Sequence, residues 1–100
     1  MVPKRLDGLD CVVLEECPRA YVATSPWARL VGLAWLDDLP ADCGLLIPWC
    51  GSVHTFGMRF ALDVAFLGPD GRTLRLDRAV PARRVLRCRG AVAVLERRAR

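Results

Sequence analysis

Apolar positions in this chain fall in short runs separated by turn-forming residues, a spacing that predicts strands more than long helices. Cys11-Val12-Val13-Leu14 is apolar and β-branched, Glu15-Glu16-Cys17-Pro18-Arg19 interrupts it, and Ala20-Tyr21-Val22-Ala23 resumes it, so two strands flank a turn. The period then changes. Ser25-Pro26 reads as a helix N-cap followed by proline at the first helical position, where the missing N–H removes no bond. Trp27, Leu30, Val31 and Ala34 recur at helical spacing, predicting one apolar face on a helix that runs to about Leu36. Asp37-Asp38-Leu39-Pro40 stops it, because acidic residues are poorly placed at a helix C-terminus and proline cannot continue it.

Gly44-Leu45-Leu46-Ile47-Pro48 predicts a buried strand entering the loop Trp49-Cys50-Gly51-Ser52-Val53, which leads into His54-Thr55-Phe56-Gly57-Met58-Arg59-Phe60. Leu62-Asp63-Val64-Ala65-Phe66-Leu67 is a second apolar run with one carboxylate near its start. In Gly68-Pro69-Asp70-Gly71, proline presets φ and Gly71 suits the left-handed position of a bulged hairpin. Thr73-Leu74-Arg75-Leu76 is therefore expected to pair back antiparallel, exposed on one side. Val85-Leu86-Arg87-Cys88 and Ala91-Val92-Ala93-Val94-Leu95 complete about seven short strands. The expected fold is a single domain, residues 1–100, mainly β: a compact antiparallel sandwich or barrel-like sheet with one α-helix after the second strand.

Composition narrows the class. At 53% hydrophobic and 26% charged residues the chain has a globular balance, away from the signature of disorder. No apolar stretch approaches the ~18 residues of a membrane span, and the basic N-terminus runs into Asp7 and Asp10 instead of an apolar leader core. A cytoplasmic protein without membrane insertion is expected. Five cysteines, an odd number without a C-x-x-C pair, predict free buried thiols in a reducing compartment and neither a disulfide framework nor a zinc ribbon.

The net charge of +4 is unevenly divided: residues 1–71 carry five basic and nine acidic side chains, whereas residues 72–100 carry ten arginines against Asp77 and Glu96. A basic C-terminal third is a candidate interaction surface. Nucleic acid is not the expected partner, because no aromatic follows Phe66 to supply stacking and no helix-turn-helix or zinc-finger spacing occurs. The partner is expected to be a small molecule or a protein, and the chain a monomer.

Gly44-Leu45-Leu46, His54 to Met58, Leu62 to Phe66 and Asp70-Gly71, in that order, resemble the domain of unknown function 192 family, as do Arg29, Gly32 and Leu33 at the positions of an Arg-x-x-Gly-Leu near a helix end. The resemblance extends from about Ala20 to Glu96 and implies a small β-rich fold without implying an activity. Members often carry Trp before the motif methionine, where this chain has Gly57, so a pocket wall made by that ring is not expected here. Many also continue past Leu95-Glu96 into a last strand, so the resemblance implies an open sheet edge at that point, guarded by the terminal arginines.

Candidate chemistry concentrates between Trp49 and Asp63. Cys50, His54 and Asp63 admit a thiol-nucleophile reading, with His54 as base and Asp63 orienting it, although no nucleophile elbow or thiol-protease signature accompanies them. Cys43, Cys50 and His54 lack a fourth ligand, so no metal site and no cofactor is expected. The structural alternatives are a His54 ring that satisfies loop backbone groups, and an Asp63 that caps loop amides or pairs with Arg59 or Arg29. Trp49, Phe56, Met58 and Phe60 form either an apolar pocket wall or plain core, and Arg59 is the expected exposed contact. The favoured expectation is a non-enzymatic binding module that takes a small molecule or peptide through residues 49–63, with candidate contacts Trp49, Cys50, His54, Thr55, Met58, Arg59 and Asp63. A thiol-dependent hydrolase using Cys50 and His54, and an interaction domain using the basic third, are the alternatives.

Overall fold

The computed structural model describes residues 2–100. Two helices and eight strands follow in order: α1 (Lys4–Asp7), β1 (Cys11–Val12), β2 (Arg19–Val22), α2 (Pro26–Val31), β3 (Cys43–Pro48), β4 (Ser52–His54), β5 (Leu62–Leu67), β6 (Thr73–Val80), β7 (Val85–Arg87) and β8 (Ala93–Arg98). Six strands form one sheet in the order β1-β2-β3-β8-β5-β6, and β4 pairs with β7 in a separate ribbon. The fold is mainly β and sandwich-like, and it is not a closed barrel.

Alternation along the strands creates two unequal faces. Tyr21, Leu45, Ile47, Leu62, Val64, Phe66 and Val94 point to one side, where Val31, Leu33, Ala34 and Val53 join them in the main core. Ala20, Ala65, Leu67 and Leu95 point to the other, against Cys17 and Leu14 from the β1–β2 turn. Helix α2 and the β4–β7 ribbon thus cover the inner face. The edge strand β6 is exposed on both sides instead of the one expected: Leu74 and Leu76 are about half exposed on the outer face, where no layer covers them, and Arg75 opposite Phe66 is exposed as well.

Three details depart from the sequence pattern. First, β2 and β3 run parallel, joined by the crossover through α2, while the remaining pairs are antiparallel. Second, α1 is an additional short helix that buries Leu6; its Arg5 donates hydrogen bonds to Ala34 O (2.7 Å) and Gly32 O (2.8 Å). Third, α2 starts as expected, with the Ala28 N–H donating to Ser25 Oγ at 3.0 Å, yet stops at Val31 because Gly32 turns to φ 58°, ψ −129°. Its buried side is therefore not the predicted stripe: Val31 and Ala34 are buried, whereas Trp27 and Leu30 are 63% and 65% exposed.

The β5–β6 hairpin turns at Gly68–Gly71 with Gly71 at φ +82°, and its register shifts beside Leu67. The last strand, β8, lies between β3 and β5, so no edge opens at Leu95-Glu96; the edges belong to β1 and β6. Among the described residues, all five cysteines are free; Cys17 and Cys43 are buried and Cys11 is exposed. No helix is long and apolar enough to cross a membrane among those residues.

Candidate functional site

A cleft of about 200 Å³ opens between α2 and the β4–β7 ribbon. Arg29, Leu30, Val31 and Gly32 form one wall, Ser52, Val53, His54 and Val85 the other, and Ile47 and Glu96 the floor. The walls are tied in place by specific bonds. His54 Nε2–H donates to Leu30 O (2.8 Å), and His54 Nδ1 accepts from the Phe56 N–H (3.2 Å), a pattern that requires the Nε2–H tautomer. Arg29 donates from Nη1 to Pro48 O and from Nη2 to Trp49 O (3.0 Å), tying the helix to the chain leaving β3. The Arg29, Gly32, Leu33 set thus has a physical reading: a clamp, a backbone turn only glycine makes easily, and a fully buried core side chain.

Glu96 is the centre of this arrangement. It sits in β8 opposite Leu45 on β3 and Val64 on β5, facing the main core with Val94, and is 1% exposed. A Cβ on Gly32 would stand 2.9 Å from Glu96 Oε1, so the glycine lets the helix end settle directly on the carboxyl. Oε1 has no hydrogen-bond partner within the protein. Burial pushes the Glu96 carboxyl up to about 8, partly opposed by the Leu33 backbone, and the group is mainly protonated at neutral pH.

The candidate residues from the sequence separate in space. His54 lines the cleft, and Met58 lies beside it, its Cε 3.8 Å from where a Gly32 Cβ would stand. Thr55 is fully buried, its Oγ1 donating to Pro81 O (2.7 Å) and accepting from the Arg84 N–H (2.8 Å), so it fastens the β6–β7 connection. Trp49 projects outward at 84% exposure with φ 53°. The Cys50 thiol donates to Ser52 O (3.0 Å), while both His54 nitrogens engage backbone groups. Arg59 is exposed and ion-paired with Asp37.

Asp63 faces away from all of them. Its neighbours Leu62 and Val64 belong to the inner face, so Asp63 points to the opposite side of the sheet, where Oδ1 accepts from the Ala79 N–H at 2.9 Å. The Cys50, His54 and Asp63 relay is therefore not assembled: a sheet separates the acid from the imidazole. Asp63 does cap an amide, at a bulge where Ala79 takes φ 51°, and does not pair with Arg29 or Arg59. Among the described residues no group of three His, Cys, Asp or Glu side chains is placed to hold a metal ion.

Phe56 is half exposed on a second groove with Trp27, Leu30 and Trp35. There the Trp35 indole lies over Gly57, 2.9 Å from where a Cβ would stand, and forms an aromatic wall that the absence of Trp at position 57 did not lead one to expect. The basic third is spread over β6, β7 and their connections, where Arg72, Arg75, Arg78, Arg83, Arg84, Arg87 and Arg89 are exposed.

Glu96 is the residue that the sequence reading missed as a site. A signal existed: two positions after Val94 on one strand, it shares the inner face with an apolar residue.

Comparison with known proteins adds fold and family. The family model DUF192, described as "Uncharacterized ACR", matches residues 14–100. A crystal structure of a protein of unknown function from Novosphingobium aromaticivorans DSM 12444 is similar with a TM-score of 0.78 at 20% identity, over 99% of this chain and 80% of that one. A putative transcription regulator from Sinorhizobium meliloti 1021 is similar with a TM-score of 0.74, also at 20% identity, over 81% of this chain and 68% of that one. No curated protein matches the sequence.

Proposed function

The chain belongs to the uncharacterized DUF192 family, and from that premise we propose that it is a non-enzymatic binding module whose ligand enters the cleft between α2 and the β4–β7 ribbon. The observation that carries this reading is the unpartnered Glu96 Oε1 on the cleft floor. Buried polar atoms in folded proteins are nearly always hydrogen-bonded, and leaving one without a partner costs about 1–3 kcal/mol. A cost of that kind is sustained where a ligand later supplies the bond. Leu30, Val31, Ile47, Val53 and Val85 give the cleft apolar walls around a few polar groups, the usual make-up of a small-molecule site. His54 and Arg29 act here as struts: the one His54 donor and two of the Arg29 donors are engaged by backbone carbonyls.

The test is a small-molecule screen followed by amide chemical-shift mapping. Bound compounds should move the amides of residues 29–33, 52–54 and 85, and should raise the melting temperature. Val85→Trp, a change at a 58% exposed rim position, should abolish both effects while leaving the fold intact. Shifts confined to the Trp27, Trp35 and Phe56 groove would remove the support for this cleft. Rapid alkylation of Cys50 by iodoacetamide at neutral pH would instead favour the thiol reading.

A further inference from the structure

Resting on the cleft as the binding site, we infer that its ligand is a small primary ammonium ion on a short apolar chain, with the ammonium facing the Glu96 carboxyl that lines the floor. What the cleft floor lacks is a donor to Glu96 Oε1. A carboxyl buried to 1% exposure ordinarily has a cationic or multiply hydrogen-bonding partner, and this one has neither on Oε1.

The neighbouring elements supply no cation to it. From α2, Arg29 is turned to the Pro48 and Trp49 carbonyls; from β4, His54 is held between Leu30 O and the Phe56 N–H. Arg5 of α1 is spent on Gly32 O and Ala34 O. Arg98, the next residue on the same face of β8, pairs with Asp38 and stacks over Phe60. The strands β3, β5 and β7 present Leu45, Ile47, Val64 and Val85, which do not titrate.

An ammonium has donors and no acceptor, which complements a carboxylate oxygen, and the apolar walls set the character of the chain it carries. Arg29 at the wall disfavours a second positive charge, so the ligand is a monocation. Binding ionises Glu96, and the carboxyl proton passes to solvent as the ion pair forms. The folded protein's raised proton affinity at this position makes that release visible as a pH dependence.

The experiment titrates the full chain with n-butylammonium and with n-butanol, its neutral counterpart, following the Gly32 and Leu33 amides at pH 6.5 and pH 9. Butylammonium stays charged at both values, like a lysine side chain. With Glu96 titrating at about 8, its apparent affinity should be about thirtyfold higher at pH 9. Butanol should show no such gain, and Glu96→Gln should remove both the gain and most of the butylammonium affinity. Equal binding of the two probes, or an affinity that falls towards pH 9, would overturn the ammonium inference while leaving the cleft as a binding site. Failure of butylammonium to move the two amides at either pH overturns it as well, and compounds from the screen that do move them would still uphold the cleft.

Discussion

Replacing Glu96 with Gln should convert a strongly pH-dependent stability into a nearly flat one. In the folded protein the carboxyl titrates at about 8 against an ordinary 4.5, because burial disfavours its ionised form. Between those two values the folded state holds a proton that the unfolded chain has released. Stability conferred by this group is therefore fully present below 4.5, falls as pH rises, and levels off above 8. At about 1.4 kcal/mol per pH unit, about 3 kcal/mol is lost by pH 7 and about 5 kcal/mol above pH 8. Against a total of about 5–15 kcal/mol for a domain, that is a large share. Gln has nearly the same shape and does not titrate. Urea melts of both proteins at pH 5, 6, 7 and 8 should diverge steadily in favour of the variant. Groups common to both proteins cancel in the difference, including Asp42, which Arg19 holds below the ordinary carboxylate range. Two curves that stay parallel from pH 5 to pH 8 would refute the claim that the Glu96 carboxyl is buried with its Oε1 unpartnered.

Other consequences follow from single positions. Gly32→Ala combines φ 58°, ψ −129° with a Cβ 2.9 Å from Glu96 Oε1, and should cost about 2 kcal/mol or more in denaturant melts; a smaller loss would mean that the helix end does not rest on the carboxyl. Thr55→Val keeps the side-chain shape and strands Pro81 O and the Arg84 N–H, so a loss of about 2 kcal/mol is expected, with faster amide exchange at Arg84 as the local sign. Ala79→Gly should gain about 1 kcal/mol, since an alanine held at φ 51° carries left-handed strain that glycine lacks; destabilisation would show that the Asp63-capped bulge is not strained.

Much of the sheet was legible because strand physics is local. The Leu62–Leu67 strand and the Gly68–Gly71 turn follow from a continuous apolar run and turn chemistry alone, whereas the two-sided exposure of β6 depends on its place at the sheet edge. The parallel β2–β3 pairing was not, since it depends on where the chain returns after α2. The helix face was misjudged for a related reason. Trp27 and Leu30 have helical spacing, but α2 is anchored through Val31 and terminated at Gly32, which sets its rotation. At the site, proximity in sequence grouped His54 with Asp63, and strand parity put the acid on the opposite face. Glu96 lies 42 positions from His54, and only the sheet order brings it under the same cleft.

The position of β8 has a bearing on how the molecule comes to be made. Apart from the β4–β7 ribbon, the strands that precede it fall into two separate groups, β1-β2-β3 and β5-β6, and neither pairs with the other except through Ala93–Arg98 between them. Until β8 is present, the inner edges of those groups, β3 and β5, have no partner for their backbone groups. The sheet cannot be completed, nor the Glu96 part of the cleft floor formed, before this strand emerges. Cells expressing a version that stops before Ala93 should accumulate an aggregating product, because the missing segment is the seam of the sheet.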